Sequence, residues 1–321
     1  MSGLNKTMVT EFILLGFPNL AQFQLLFFVI LLLIYMVTLL GNILIILTTM
    51  VDPALHSPMY LFLQNLSFLD ICFTLVVVPQ LFSNLLTEKN SISFIGCMAQ
   101  MFFFFSFGTV ECFLLAAMAY DRYVAICNPL HYRNIMNRRV CIQVMLALWF
   151  SGIPVGTLQT TWLFSLPFCG PNKVNHFFCD GPPVLELVCA DTSLFETYSL
   201  TATVIIIMSP FMLILGSYIC ILHTVLKMNS AAGRHKAFST CSSHLIVVTL
   251  LYGTGVLAYI QPKSDYSPDI KKLLSLSYTV VTPTLNPIIY SLRNREVKES
   301  LWRTLGRKII ITPSFNTHIF F

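Results

Sequence analysis

The chain has 321 residues, of which 56% are hydrophobic and 10% are charged, and its mean hydropathy is +0.75. A soluble protein of this length covers its surface with polar and charged side chains, and this composition provides too few of them. The composition therefore predicts an integral membrane protein.

Seven apolar stretches are long enough to cross a bilayer, whose hydrocarbon core of about 30 Å needs about 20 helical residues. They cover residues 23–51, 59–86, 94–126, 140–164, 197–226, 237–261 and 273–292. Carboxylates interrupt two of them, Asp70 in the second and Glu111 with Asp121 in the third. The pattern predicts an all-α membrane protein, a seven-transmembrane helix bundle.

Orientation follows from the 19 Lys and Arg residues, because positive residues are retained on the cytoplasmic side of a membrane. Most of them follow the third, fifth and seventh spans, which places the N-terminus outside. The net charge of +5 thus reflects topology, and no nucleic-acid partner is expected. The first span lacks a preceding signal-peptide pattern, so we expect it to act as a signal-anchor.

We interpret residues 1–321 as a single domain. It comprises an extracellular N-terminus (1–22), the helix bundle (23–292), a short amphipathic helix (293–305) and a cytoplasmic tail (306–321). The amphipathic helix is predicted because Val297, Leu301 and Leu305 recur every four residues among charged ones. Membrane lipid is therefore an expected partner.

Four of the ten cysteines fall on the oxidising outer side, namely Cys97, Cys169, Cys179 and Cys189. They predict two bridges with three possible pairings. Three of them lie in the long, proline-containing loop 165–196, which we expect to form a rigid lid. Asn5 begins a glycosylation sequon on the same side. His176 with Cys179 lacks a second ligand pair, so no metal site is predicted.

The third span carries a regular stripe of residues at spacings of three and four, which places them on one helix face. The stripe consists of Phe104, Gly108, Glu111, Leu115, Met118 and Arg122. At 1.5 Å per residue, Arg122 lies about 16 Å below Glu111 along the helix. One face therefore connects the cytoplasmic end of the span with its outer half.

The segment MAYDRYVAIC at 118–127 resembles the signature of olfactory receptors, a branch of the rhodopsin-like G-protein-coupled receptors. Other spans carry further motifs of that family: GN at 41–42, PMY at 58–60, LSFLD at 66–70, KAFSTCSSHL at 236–245 and PTLNPIIY at 283–290. The resemblance extends over residues 11–308 and is closest to the tetrapod-type branch. It implies a multi-pass plasma-membrane receptor that binds a volatile odorant and raises cyclic AMP through a stimulatory olfactory-type G protein.

The resemblance also implies a ligand pocket between the outer helix halves. Its members would be Phe104, Phe105, Gly108, Thr109, Cys112, Ala202, Ile205, Ile206, Val256, Tyr259, Leu276 and Thr279, above the aromatic Tyr252. None of them carries a formal charge, whereas a buried ammonium would need a counter-ion. The expected ligand is therefore small, neutral and mostly apolar, oriented by Thr109, Thr279 or Tyr259.

An activation switch is implied in the same way. Its members would be Asn42, Asp70, Glu111, Asp121, Arg122, Tyr218, His244, Asn286, Pro287 and Tyr290. Asp121 is expected to hold Arg122 in an ion pair until a cytoplasmic partner replaces it. The resemblance further implies a bridge from Cys97 to Cys179, which leaves Cys169 and Cys189 for the second.

The five residues Asn42, Asp70, Glu111, Asn286 and Tyr290 are expected to form one buried polar network. His244 is a plausible partner for Glu111. Whether a sodium ion, a proton or His244 neutralises the two acids stays open, and no other cofactor is expected. In addition, prolines 210, 283 and 287 are expected to interrupt helices five and seven and to act as hinges.

Two other classes of function are less well supported. An enzyme is not predicted, because the sequence contains no HExxH, no GxSxG and no glycine-rich phosphate loop. An ion channel or carrier would use the same intramembrane carboxylates as an ion path and is the alternative. Conductance or uptake without a G protein would distinguish it from a receptor.

Overall fold

A computed structural model of the chain describes residues 9–17, 22–87, 90–260, 267–293 and 297–303. Six of its helices are long and apolar enough to cross a membrane. They are α1 (Gln24–Val51), α2 (Pro58–Leu86), α3 (Phe94–Cys127), α5 (Arg138–Ser165), α7 (Ser193–Leu226) and α8 (Ala231–Tyr259). The seventh span consists of α9 (Pro268–Leu276), a π-helical turn (Ser277–Val281) and α10 (Thr282–Arg293). The predicted seven-helix bundle is thus confirmed.

The prolines behave differently from the prediction. Helix α7 continues through Pro210, and α10 continues through Pro287, so neither residue ends its helix. The irregular segment of the seventh span instead lies before Pro283, where the Thr282 N–H bonds to the Ser277 carbonyl five residues earlier. Pro283 has no N–H to donate to the preceding turn, which is consistent with the wider π spacing there.

Short elements connect the spans. Helix α4 (Tyr132–Ile135) lies in the second cytoplasmic loop, and α6 (Gly181–Leu185) lies in the loop above the bundle. A final helix, α11, covers residues 297–303. Its Val297 is buried against the bundle, and its Arg303 Nη2 lies 2.9 Å from Asp52 Oδ2 in the loop after α1. Residues 297–303 of the predicted amphipathic helix (293–305) are therefore helical and are tied to the first cytoplasmic loop.

A small extracellular sheet was not predicted. Strand β1 (Glu11–Leu14) pairs antiparallel with β2 (Ser91–Ser93) and parallel with β3 (Lys173–Val174). The Ile13 N–H donates to the Asn172 carbonyl at 2.7 Å, which joins the N-terminal segment to the long outer loop. The sheet closes the outer end of the bundle with backbone hydrogen bonds.

Helix α3 occupies the centre of the bundle, and its packing against α5 depends on two glycines. A Cβ atom at Gly152 would lie 2.5 Å from the Ser106 carbonyl oxygen, and one at Gly156 would lie 2.6 Å from the Phe102 carbonyl oxygen. Small residues allow two helix backbones to approach closely in a membrane. This close approach places the middle of α5 next to the face of α3 that lines the site described below.

Candidate ligand cavity and cytoplasmic switch

A cavity of about 110 Å³ lies in the outer half of the bundle. Its lining comes from α2, α3, α5, α7, α8 and the π turn of the seventh span. The lining residues are Phe73, Phe104, Phe105, Gly108, Thr109, Glu111, Cys112, Val155, Gln159, Thr203, Ile206, Ile207, Leu251, Tyr252, Gly255, Tyr259 and Tyr278. Aromatic and aliphatic side chains thus dominate the wall.

Eight of the predicted pocket residues line this cavity, namely Phe104, Phe105, Gly108, Thr109, Cys112, Ile206, Tyr252 and Tyr259. Five do not: Ala202, Ile205, Val256, Leu276 and Thr279. Ile205 is 59% exposed on the outer surface of α7, because the helix presents Thr203, Ile206 and Ile207 to the cavity. Thr279 is fully buried, and its hydroxyl donates to the Ser275 carbonyl at 2.6 Å. Neither side chain is available to a ligand in the cavity.

The polar groups that line the cavity fall into two sets. The first already has partners: the Thr109 hydroxyl donates to the Phe105 carbonyl at 2.8 Å, and the Tyr252 hydroxyl donates to the Cys112 carbonyl at 2.9 Å. Thr109 is therefore a weaker candidate for orienting a ligand than the sequence predicted.

The second set has no hydrogen-bond partner among the described residues. Gln159 is only 2% exposed, yet neither its amide nor the Thr203 hydroxyl forms a side-chain hydrogen bond there. One carboxyl oxygen of Glu111 is also buried without a partner in the described chain. Glu111 lines the cavity and so corrects the prediction that no residue with a formal charge belongs to the pocket. Gln159 and Thr203 were missed, although a polar side chain inside a span is itself a signal of function.

A polar cluster from the second extracellular loop and the sixth and seventh spans roofs the cavity. The Tyr259 hydroxyl contacts Asp180 at 3.0 Å and the Tyr278 hydroxyl at 2.8 Å. Tyr278 donates to Ser275 at 3.0 Å, and a ring nitrogen of His176 lies 3.1 Å from the same Ser275 hydroxyl. The cluster thus joins the loop to both helices by a continuous set of hydrogen bonds.

Burial perturbs the two ionisable loop groups in this roof. Desolvation raises the pKa of the Asp180 carboxyl to about 6, although hydrogen bonds from the Gly181 N–H and the Tyr259 hydroxyl lower it. Desolvation lowers the pKa of His176 to about 3, and the positive charge of Lys272 lowers it further. His176 is therefore neutral near pH 7.

Two disulfides hold this loop. Cys97 is bonded to Cys179 with a Cα–Cα distance of 5.4 Å, and Cys169 is bonded to Cys189 with a Cα–Cα distance of 5.9 Å. The Cys179 N–H also donates to the Gln100 side chain at 2.8 Å. The first bridge therefore fixes the loop to the outer end of α3, directly above the cavity.

The predicted polar network at mid-membrane is only partly formed. The Asn286 amide donates to both oxygens of Asp70 at 3.0 Å. Asn42 donates instead to backbone carbonyls, including that of Pro283 at 3.2 Å. The Tyr290 hydroxyl and one oxygen of Glu111 have no hydrogen-bond partner in the described chain.

His244 does not contact Glu111, contrary to the prediction. One ring nitrogen lies 2.8 Å from the Tyr218 hydroxyl, and the other lies 3.0 Å from the Leu115 carbonyl. Leu115 lies one helical turn below Glu111 on α3. Both ring nitrogens of His244 therefore have partners closer to the cytoplasmic side than Glu111. The histidine joins α3, α7 and α8 in their cytoplasmic half.

Asp121 and Arg122 do not form the predicted ion pair. Ion pairs within the described ranges link Lys272 with Asp269 and Arg303 with Asp52. Asp121 instead accepts a hydrogen bond from the Tyr132 hydroxyl of α4 at 2.8 Å. Arg122 is only 4% exposed, and its Nε and Nη1 atoms have no partner there. The Arg122 guanidinium thus has no carboxylate partner among the described residues, because the Asp121 carboxylate is hydrogen-bonded to Tyr132 of α4.

Three predicted features lie outside the described residues, namely the sequon at Asn5, Leu305 of the amphipathic helix and the tail 306–321. Within the described ranges, no group of three His, Cys, Asp or Glu side chains is placed to hold a metal ion.

Comparison with known proteins identifies the class of fold and then the family. The chain superimposes on squid rhodopsin with a TM-score of 0.71 over 92% of this chain and 89% of the other, at 17% sequence identity, which shows the seven-helix receptor fold. The olfactory receptor family profile matches residues 31–308. Human olfactory receptors 10A7 and 10A5 are 60% and 61% identical over 95% and 96% of this chain, and the chain covers 97% of each. The chain therefore belongs to the olfactory receptor family.

Family membership defines the general role. The protein is a multi-pass plasma-membrane receptor for odorants and not an enzyme, and its cytoplasmic partners are heterotrimeric G proteins. The alternative of an ion channel or carrier is not favoured.

Proposed function

We propose that this receptor binds a small, neutral, mostly apolar volatile molecule in the outer cavity and activates a stimulatory olfactory-type G protein, which raises cyclic AMP. The observation that carries the proposal is the largely apolar cavity lined by Tyr252, in which Gln159 and Thr203 have no partner in the described chain. Most of the binding energy would come from apolar burial at about 25 cal/mol per Å². The two side chains would orient the ligand.

The size of the cavity limits the ligand. An apolar protein cavity of about 150 Å³ holds benzene, and this one has a volume of about 110 Å³. A ligand no larger than benzene, with about six heavy atoms, is therefore expected, with micromolar affinity because ligand efficiency limits so small a molecule. An alcohol, aldehyde, ketone or ester supplies an oxygen atom that the Gln159 amide and the Thr203 hydroxyl can bind.

Helix α3 would transmit ligand binding from the outer cavity to the cytoplasmic end of the bundle. Tyr252 connects α8 to α3 through the Cys112 carbonyl, and His244 connects the same helices near the cytoplasmic end. A ligand that moves Tyr252 would therefore also alter the packing around His244 and Tyr218. We infer that this change exposes Arg122 to a helix of the G protein that docks at the cytoplasmic end of the bundle.

A cyclic AMP assay with a chemically diverse odorant panel tests the proposal. Gln159→Leu removes both a donor and an acceptor, so we expect the half-maximal concentration of oxygen-containing agonists to rise about tenfold, the effect of one hydrogen bond. Hydrocarbon analogues should be unaffected. Thr161→Val, at an exposed threonine two residues further along α5, is the matched control.

Three results would contradict the proposal. They are a panel in which only charged amines act as agonists, unchanged responses in both Gln159→Leu and Thr203→Val, or conductance that persists in cells lacking the G protein.

A further inference from the structure

A second cavity lies at the cytoplasmic ends of α1, α2 and α5, away from the odorant cavity, and we propose that it binds the headgroup of an anionic phospholipid from the inner leaflet. Its volume is about 500 Å³, within the range of roughly 300–1,000 Å³ typical of ligand sites. The argument uses six of the residues that line it, namely Met50, His56, Ser57, Gln64, Arg138 and Cys141. We refer to it as the cytoplasmic cavity.

The charge of this cavity is positive. Arg138 lines it and makes no ion pair or side-chain hydrogen bond within the described ranges, and none of the lining residues is an Asp or Glu. Asp52, in the adjoining loop, is paired with Arg303. Helices α2 and α5 both begin at the cavity, and each N-terminus contributes roughly half a positive charge. An anion is therefore favoured.

The cavity also offers hydrogen-bond donors. Ser57 precedes α2, but its hydroxyl forms no capping hydrogen bond. The Gln64 amide has no hydrogen-bond partner in the described part of the chain, and the ring of His56 is held only by a 3.3 Å contact with the Met50 carbonyl. A guanidinium with hydroxyl, amide and imidazole donors is a set that suits the several oxygens of a phosphate group.

The position of the cavity favours a lipid as the source of that phosphate. Exposed apolar side chains lie next to the lining residues, Val51 beside Met50 and Ile142 beside Cys141. A phospholipid places a phosphate and apolar chains at this depth, whereas free phosphate matches only the polar part. Anionic lipids are enriched in the cytoplasmic leaflet, where basic pockets between helices bind their headgroups.

Photocrosslinking of the full receptor tests this assignment. The receptor is reconstituted in phosphatidylcholine vesicles containing a phosphatidylserine with a photoactivatable group near its headgroup, and labelled peptides are mapped by mass spectrometry. We expect labelling in residues 49–64 and 136–141. Arg138→Gln should lower labelling of these peptides about tenfold relative to labelling elsewhere on the receptor, the loss of one charge-assisted contact.

Arg139→Gln is the matched control. It removes the same charge one residue away, from an exposed side chain that does not line the cavity. It should therefore leave the labelling of these peptides, relative to the rest of the receptor, unchanged. Equal effects of the two variants would overturn the proposal, as would labelling of the wild-type receptor that is no stronger in these two segments than elsewhere. Displacement by inorganic phosphate as effective as displacement by unlabelled phosphatidylserine would identify free phosphate as the ligand and overturn the lipid assignment. The wild-type map decides the case even if Arg138→Gln folds poorly.

Discussion

Substitution of Gly156 by alanine should separate α3 from α5 and destabilise the receptor. The new Cβ atom would lie 2.6 Å from the Phe102 carbonyl oxygen, whereas ordinary Cβ contacts begin at 3.4 Å. The obstacle is a backbone atom of α3 and cannot rotate away. The two helices must therefore move apart by roughly 0.8 Å at this level, or one of them must bend.

The loss of folding free energy caused by Gly156→Ala can be placed within a range. Overpacking in a well-packed interior typically costs about 1–3 kcal/mol, and this contact lies at the upper end because it involves backbone on both sides. The displacement also reaches the ligand site, since Val155 and Gln159 of the same helix line the cavity. We therefore expect a lower melting temperature together with weaker responses to agonists.

The assay compares the variant with Gly216→Ala in α7. A Cβ atom at Gly216 meets nothing within 4 Å, and alanine is the better helix former, so this control should be neutral or slightly stabilising. Surface expression relative to total expression and the melting temperature in detergent are measured for both. The new Cβ atom would also meet the Ser106 hydroxyl oxygen, but Ser106→Gly should not rescue Gly156→Ala, because the Phe102 carbonyl remains. If Gly156→Ala matches Gly216→Ala in both measurements, the inferred close approach of α3 and α5 is incorrect.

Three further predictions concern the extracellular roof and the cytoplasmic switch. The Asp180 carboxyl has a pKa of about 6 in the folded protein and an ordinary value of 3.8, so the stability it contributes is present below about pH 4 and is lost as the pH rises through about 6. The melting temperature of Asp180→Asn should therefore rise relative to that of the wild type between about pH 4 and pH 7, and a constant difference would contradict this. Arg122→Ala should reach the cell surface but give no cyclic AMP response, and a normal response would exclude Arg122 as the switch. Cys97→Ser should abolish surface expression, because a loop-closing bridge contributes about 2–5 kcal/mol, whereas Cys220→Ser, at an exposed free thiol, should be expressed normally.

The spans were predictable because lipid demands long stretches with few charges, and this demand is independent of tertiary contacts. The ends were less predictable where a helix continues beyond the membrane. Helix α8 begins at Ala231, six residues before the predicted start, in a polar segment that hydropathy assigns to a loop. The sheet was missed because strands of two to four residues carry no clear alternation in sequence.

The candidate site was predictable on α3, where spacing places Phe104, Gly108 and Glu111 on one face and the family resemblance implied the other lining residues. It was less predictable on α7, where each residue rotates the helix face by about 100°: Ile206 was predicted correctly, but Ile205 was predicted in place of Ile207. In the seventh span, the π turn presents Tyr278 to the cavity and buries Thr279, and hydropathy does not predict such a turn. The partners of His244 depend on the depth at which α3 and α8 meet, which one sequence does not determine.

The extracellular sheet has a consequence for the biogenesis of the receptor. The backbone of Glu11 accepts a hydrogen bond from Asn172, 161 residues later in the chain. Strand β1 is among the first segments to enter the secretory compartment, yet its parallel partner β3 follows only after four spans have been synthesised. Until then, the N-terminal strand has an unpaired edge in the lumen, where chaperones can recognise it. Closure of the sheet therefore requires β1 and β3 to lie on the same side of the membrane, as they do once all four intervening spans cross it.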